Sequence, residues 1–226
     1  MTKLSGSYDC LGVVLAGGLS SRMGQDKATL HRNSHSMLEF SKQVLSDSGI
    51  SNIVVSGDNY DVPDKIKQGG PVGGILSVLS KYPQAKSLLI LPVDLPFMTA
   101  KALAELRLKG ELSHKATYFE HHNIPLYLPN NAYIELFLAQ AFTTQKQTNS
   151  QLTSSQFAGS QFTDSQCAEA PLEKSRFNTQ SSKKGPSIRS LLKQVPHQAI
   201  PSNDANTLFN TNTPEQWQQA KKQFNF

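Results

Sequence analysis

The segment VVLAGGLSSRMGQDKATL, residues 13–30, decides the fold of this 226-residue chain. The apolar run that opens it predicts a buried β-strand, which ends at Gly17 and Gly18. Glycines there let the backbone turn tightly and come close to a ligand, and the free N–H groups of such a turn bind anions. Arg22 and Lys27 follow within the same segment. The pattern predicts a phosphate-binding loop at the end of a strand; an ordinary glycine turn followed by two solvated cations is the alternative.

Strand and helix patterns then alternate along the chain. We predict strands over residues 10–16, 52–56 and 87–92, helices over residues 36–48, 99–109 and 131–142, and a strand-to-helix transition over residues 72–81. Gly110 is expected to end the helix that Thr99 caps, two more strands flank Pro125, and Thr213-Pro214 starts a last helix. This alternation predicts an α/β fold with a mostly parallel sheet covered on both faces. Ligands of such sheets bind beyond the carboxyl ends of the strands.

A single acidic residue follows the strand predicted over residues 87–92. Asp94 lies in the motif LPVDLP, where prolines on both sides fix the direction of the chain. We expect its carboxylate at the same sheet edge as the glycine loop. A carboxylate together with phosphate oxygens and water is the usual environment of Mg²⁺ in proteins. The alternative is that Asp94 only caps the next turn.

Composition narrows the classes of partner. The formal net charge of +5 favours anionic ligands. The basic residues are scattered and not interleaved with aromatic residues, so we expect no nucleic acid partner. The two cysteines, Cys10 and Cys167, are far apart and show no metal-binding or disulfide spacing. No apolar run is long enough to span a membrane, and we expect a cytoplasmic protein with no membrane partner.

Residues 143–182 form a low-complexity insertion rich in Gln, Ser and Thr. Inside it a five-residue repeat runs over residues 150–169 as SQLTS, SQFAG, SQFTD and SQCAE. One interpretation is a short β-solenoid, although four such units make only about one coil. The interpretation we favour is a disordered loop outside the nucleotide site, because so polar a segment buries too little surface to offset its ordering entropy.

Three motifs, in the order in which they occur, resemble the molybdenum cofactor guanylyltransferases of the nucleotidyltransferase superfamily. They are LAGGLSSRMGQDK (15–27), GGPVGG (69–74) and LPVDLP (91–96). The later stretches KGPSIRSLL and FNTNTPEQW are similar to the carboxyl-terminal part of that family. The resemblance covers about residues 10–142 and 183–223. It implies a Rossmann-like three-layer nucleotidyltransferase fold, with one domain over residues 1–226 that contains the polar insertion.

The resemblance also implies site residues and a metal. Catalysis would depend on Arg22, Lys27 and Asp94, and Asp94 would bind Mg²⁺. GTP would be bound by Leu15, Ala16, Gly17, Gly18, Lys27, Ser56, Asp64 and Asp94. The acceptor would be bound by Pro125, Asn210 and Asn212. The chain departs from the family at Ile124-Pro125, where relatives carry His-Pro, and this departure bears on the acceptor contacts.

The reaction that the resemblance implies transfers GMP from GTP to the terminal phosphate of molybdopterin and releases pyrophosphate. Partners would then be GTP, molybdopterin or its molybdenum-loaded form, and proteins that make or receive the cofactor. The loop reads Ala16-Gly17-Gly18, whereas cytidylyl relatives typically carry Ala-Ala-Gly, so guanine is favoured. Two alternatives stay open: a cytidylyl- or uridylyltransferase acting on another phosphorylated acceptor, and a non-catalytic nucleotide- or molybdopterin-binding chaperone.

Overall fold

A six-stranded mixed sheet forms the centre of the molecule. The computed structural model describes residues 9–17, 27–32, 35–153 and 185–224, without the side chains of Lys27, residues 144–153 and Ala205. The strands are β1 (Leu11–Leu15), β4 (Ile53–Ser56), β5 (Ser87–Pro92), β6 (Ala116–Phe119), β7 (Leu126–Pro129) and β8 (His197–Ile200). Their order is β4-β1-β5-β7-β6-β8, and β7 alone of these six runs against its neighbours. The predicted mostly parallel sheet is confirmed.

Helices cover both faces of the sheet. They are α1 (Met37–Asp47), α2 (Gly70–Lys81), α3 (Ala100–Ser113), α4 (Ala132–Thr153), α5 (Ile188–Leu192) and α6 (Pro214–Lys221). Along β1, Val13 packs on the face that α2, α4 and α5 cover, whereas Val14 packs on the face of α1 and α3. This alternation follows from the two-residue period of a strand and gives the chain two apolar layers. None of the described helices is long and apolar enough to cross a membrane.

Local capping signals place several helices where the sequence predicts them. Ser36 and Glu39 form a capping box at the start of α1, with Glu39 N donating to Ser36 Oγ over 3.2 Å and Ser36 N donating to Glu39 Oε2 over 2.8 Å. Thr213 and Gln216 form a second capping box at α6, whereas Thr99 caps α3 only through its hydroxyl, which accepts the N–H of Ala102. These bonds satisfy N–H groups that have no partner inside the helix.

The expectation that Gly110 ends α3 is wrong. The helix continues to Ser113 and stops at His114, whose φ of 55° is left-handed. Gly110 is instead a packing position, because a Cβ there would overlap the ring of Tyr127, lying 2.5 Å from Cγ and 2.7 Å from Cε1. The glycine is required by a side chain of β7, not by the backbone of the helix.

The predicted boundary at residue 142 is also wrong. Helix α4 runs through to Thr153, so the first part of the polar segment over residues 143–182 is helical. The rest of that segment lies outside the described residues, and its solenoid and loop interpretations stay untested. Sequence patterns also missed helix α5, strand β8 and the hairpin formed by strands β2 (His31–Arg32) and β3 (His35–Ser36).

We expect Gly110→Ala to lower the free energy of unfolding by about 1–3 kcal/mol, because the new methyl group overpacks a buried aromatic contact. Equilibrium urea denaturation measures this directly. Leu108→Ala on the same helix is the control, since Leu108 is 56% exposed and should change stability by less than about 0.5 kcal/mol. A Gly110→Ala variant as stable as the wild type would contradict the packing role of this glycine.

Candidate active site at the carboxyl ends of β1, β4 and β5

The ends of β1 and β4 are joined through one carbonyl oxygen. Ala16 N and Gly17 N both donate to Ser56 O, over 2.9 Å and 3.1 Å. The Ser56 side chain is 1% exposed, and its hydroxyl has no hydrogen-bond partner within the described residues. A Cβ on Gly74 of α2 would lie 2.9 Å from that hydroxyl. The structure thus places Ser56 under α2, with its backbone holding the turn that follows β1.

Gly17 lies in a narrow gap between two other segments. A Cβ on this residue would lie 3.2 Å from Asp64 Oδ2 and 3.3 Å from the Cα of Gly57. Gly57 itself has a φ of 153°, and a Cβ there would lie 3.0 Å from Gly17 N. Both glycines are therefore needed for the close approach of the two backbones. Gly17 nevertheless stays exposed to solvent on its outer side.

Asp64 carries a carboxyl group in an unfavourable environment. One oxygen, Oδ1, is buried and has no hydrogen-bond partner among the described residues. Burial, and then repulsion from Asp58, raise the pKa of Asp64 above the ordinary carboxyl value. An unsatisfied acceptor and a raised pKa beside a glycine gap are features that cluster at functional sites. The Asp64 carboxyl thus lies directly beside the turn that follows β1.

Asp94 follows β5, the strand beside β1, and its backbone is fixed by a distant segment. Thr211 donates both its N–H, over 2.9 Å, and its hydroxyl, over 3.1 Å, to Asp94 O. The two residues are 117 positions apart in the chain, and Thr211 is 1% exposed. Pairing of Leu15 with Pro92 aligns the ends of β1 and β5. Asp94 and Gly17, each two residues further on, therefore lie at the same edge of the sheet.

The three residues expected at the acceptor lie around the same edge. Asn210 and Asn212 flank Thr211, so the bonds from Thr211 bring both to the Asp94 segment. Asn210 Oδ1 is buried without a hydrogen-bond partner in the described part of the chain. Pro125 is buried and immediately precedes Leu126, which pairs with Ile90 of β5. Sequence patterns do not reveal the role of Thr211, because nothing in the residues around it indicates a hydrogen bond to Asp94 O.

The residues predicted to bind phosphate are described only in part. Leu15, Ala16 and Gly17 lie at the end of β1, where they were expected. Gly18 and Arg22 lie outside the described residues. Lys27 begins a short 3₁₀ helix over Lys27–Thr29, and its side chain is not described. Their contacts with a triphosphate stay predictions.

The donor set at this edge fits a hard divalent cation held jointly with a ligand. Within the described ranges no three His, Cys, Asp or Glu side chains lie close enough together to enclose a metal ion. Mg²⁺ is commonly bound by one or two carboxylates and completed by substrate phosphates and water. Asp94 at the end of β5 supplies such a carboxylate, and the residues present therefore fit Mg²⁺ that arrives with a nucleotide.

Comparison with known proteins assigns the chain to a family. Residues 12–155 match the family described as MobA-like NTP transferase domain. The chain belongs to the MobA-like NTP transferase domain family. This result confirms the resemblance that the sequence motifs indicate. The six-stranded sheet with its helices is accordingly a Rossmann-like nucleotidyltransferase fold, as predicted.

Individual relatives of this MobA-like domain agree with the assignment. A molybdenum cofactor guanylyltransferase from Xanthomonas euvesicatoria pv. vesicatoria is 38% identical over 120 residues, covering 52% of this chain and 62% of the relative. The match therefore spans less than two thirds of that relative's length.

Solved structures share the fold. Molybdopterin-guanine dinucleotide biosynthesis protein A from Archaeoglobus fulgidus superposes with a TM-score of 0.63 at 16% identity, covering 94% of this chain and 97% of that one. A Mycobacterium tuberculosis protein in complex with manganese gives a TM-score of 0.51 at 12% identity, covering 95% of this chain and 99% of that one.

We expect Asp64→Asn to stabilise the fold at neutral pH. The native state raises the pKa of Asp64, so it holds the proton to higher pH than the unfolded chain does. Wild-type stability therefore falls as pH rises from the ordinary carboxyl pKa, about 4, through the raised value. The gain from the neutral amide is modest because the carboxyl is partly exposed, and it should vanish below pH of about 4.

Urea denaturation of both proteins across this pH range measures the difference. Asp58→Asn is the matched control, since it removes only the weaker of the two causes and should give a smaller gain of the same sign. A loss of stability in Asp64→Asn, or a gain independent of pH, would contradict this account of the carboxyl.

Proposed function

We propose that the protein transfers GMP from GTP to the terminal phosphate of molybdopterin, forming the guanine dinucleotide cofactor and pyrophosphate. The observation that supports this most directly is the gap at Gly17, where the backbone and the Asp64 carboxylate lie side by side next to β5, the strand that Asp94 follows. The family assignment supports nucleotidyl transfer. The name of the Xanthomonas relative supports guanine as the base and a molybdenum cofactor as the product.

The base and ribose would lie against the end of β1. Guanine presents N1–H and N2–H₂ as donors, so its pocket needs acceptors. Backbone carbonyls of Leu15 to Gly18 would supply them, and the Asp64 carboxylate, whose Oδ2 lies beside Gly17, would add a further acceptor.

The phosphates would extend from Gly17 toward Asp94. Gly18, Arg22 and Lys27 follow Gly17 in the chain and would bind phosphate oxygens through backbone N–H groups and cationic side chains. Mg²⁺ bound with GTP would neutralise charge on the α-phosphate and the leaving pyrophosphate, and Asp94 would hold it. The positive charges would lower the repulsion between two polyanionic substrates, which is the main barrier to such a transfer.

The acceptor phosphate needs positioning more than activation. A phosphomonoester has a second pKa near 6, so it is already ionised at neutral pH and needs no general base. Asn210, Asn212 and Pro125 would line its approach, on the side of Asp94 away from β1. Thr211 would keep this segment in register with Asp94, and the contribution of the protein to the rate would lie mostly in orientation.

The test is pyrophosphate release with purified molybdopterin as acceptor and GTP, CTP or UTP in parallel, at saturating Mg²⁺. We expect release with GTP and at least tenfold less with either pyrimidine nucleotide, because their rings lack the guanine donors. Release that follows CTP or UTP would identify a different transferase of the same fold. Binding without release would point to a carrier of nucleotide or cofactor.

We expect Asp94→Asn to lower Mg²⁺-dependent turnover by about 10²–10³-fold, because the metal loses its charged protein ligand. The fold should persist, since the bonds from Thr211 go to the backbone of Asp94 and not to its carboxylate. Asp47→Asn is the matched control: it removes an exposed carboxylate at the end of α1 that accepts a hydrogen bond from Gln43. Near-normal turnover in Asp94→Asn would assign Asp94 the role of a turn cap.

A further inference from the structure

Gly185 makes a backbone contact with the turn that leads into α2. Its N–H donates to Gln68 O over 3.0 Å. A Cβ on Gly185 would overlap Gly69 O and would lie 2.5 Å from the Gly69 carbonyl carbon and 2.7 Å from its Cα. All three atoms belong to the backbone, so no side-chain rotation relieves the overlap. The segment after the polar insertion is thus packed against a turn 116 residues earlier.

The turn that Gly185 contacts is not fixed by its own side chains. Gln68 has a φ of 59° and Gly70 a φ of 62°, both in the left-handed region. Gly69, the residue before α2, makes no side-chain capping bond. Its carbonyl accepts the N–H of Gly73 over 3.0 Å, which is the first bond of the helix. Gly69 N also donates to Ile66 O over 3.1 Å, so the turn is held by backbone bonds of its own and by the packing of Gly185 against it.

The first turns of α2 reach the candidate active site. A Cβ on Gly74 would lie 3.3 Å from Leu15 Cδ2, as well as against the Ser56 hydroxyl. Leu15 and Ser56 are the last residues of β1 and β4. A shift of the Gly69-Gly70 turn therefore moves the part of α2 that packs against the ends of both strands.

We propose that Gly185 is a positioning residue for nucleotide binding, which acts by holding the Gly69-Gly70 turn and the start of α2 against the ends of β1 and β4. The inference rests on the proposed function, because it assumes that a nucleotide binds at this edge. Gly185 touches the turn and not the nucleotide. The segment that follows the insertion would thus help to shape the nucleotide-binding edge of the sheet.

The experiment compares Gly185→Ala with Gly110→Ala. Both variants place a methyl group in a contact closer than van der Waals distance, but Gly110 faces Tyr127 in the body of the sheet, away from the nucleotide edge. For each we would measure Tm, the Kd for GTP by calorimetry, and KM and kcat for pyrophosphate release. We expect Gly185→Ala to raise both Kd and KM for GTP about tenfold and to change kcat less than about threefold.

Gly110→Ala should lower Tm and leave Kd and KM for GTP unchanged. An equal Kd in wild type and Gly185→Ala, or equal effects of the two glycine variants on Kd, would overturn the role of Gly185. A wild type that binds no nucleoside triphosphate would instead contradict the proposed function, so the two failures are distinguishable.

A second variant covers the case in which Gly185→Ala does not fold. Ser187 caps α5 by accepting the N–H of Ser190 over 3.1 Å, and this bond fixes the start of α5 two residues after Gly185. Ser187→Ala loosens this start without any overlap. We expect a rise in the Kd for GTP in the same direction but smaller, with kcat unchanged; an unchanged Kd would overturn the proposal.

Discussion

One shared hydrogen-bond acceptor determines the geometry of the site. Ser56 O receives the N–H groups of both Ala16 and Gly17, and this ties the turn after β1 to the end of β4. These two bonds bring Gly17 close to Gly57 and Asp64. A side chain at Gly17 or at Gly57 would therefore displace a neighbouring atom. The positions of Gly17, Gly57 and the Asp64 carboxyl relative to one another follow from this contact.

The site contains buried polar groups that lack hydrogen-bond partners, whereas polar groups buried for structural reasons are normally hydrogen-bonded. Asp64 Oδ1, Asn210 Oδ1 and the Ser56 hydroxyl are buried without hydrogen-bond partners among the described residues. Buried polar groups in proteins are almost always hydrogen-bonded. Two of the three, Asp64 and Asn210, flank the edge from opposite sides, next to Gly17 and next to Asp94. Unpaired acceptors on both sides of one edge are the arrangement expected where two substrates must meet.

Local signals explain which parts of the fold could be predicted. The strand that ends at Leu15 is a continuous apolar run, and Ser36 and Thr213 carry complete capping patterns, so neighbouring residues alone define these elements. Gly110 led to a wrong prediction of the helix end, because a glycine is needed there to make room for Tyr127 of strand β7, which lies far along the chain from the helix pattern. Strand β8 was missed because His197–Ile200 carries little apolar pattern and is stabilised by pairing with β6.

In the site, too, residues marked by local sequence signals could be predicted, whereas residues defined by contacts with distant segments could not. Gly17 and Asp94 could be placed at one edge because each follows a buried strand, and parallel strands end together. Thr211 and Gly185 could not be found, because their partners lie more than a hundred residues away and the contacts go to backbone atoms.

A crystal structure of the protein with a non-hydrolysable GTP analogue and Mn²⁺, located by anomalous diffraction, would show where the nucleotide and the metal bind. We expect guanine beside Gly17 and Asp64, the phosphates over the loop that follows Gly17, and an anomalous peak at the Asp94 carboxylate. A nucleotide bound elsewhere, or Mn²⁺ at this edge without contact to Asp94, would contradict this expectation.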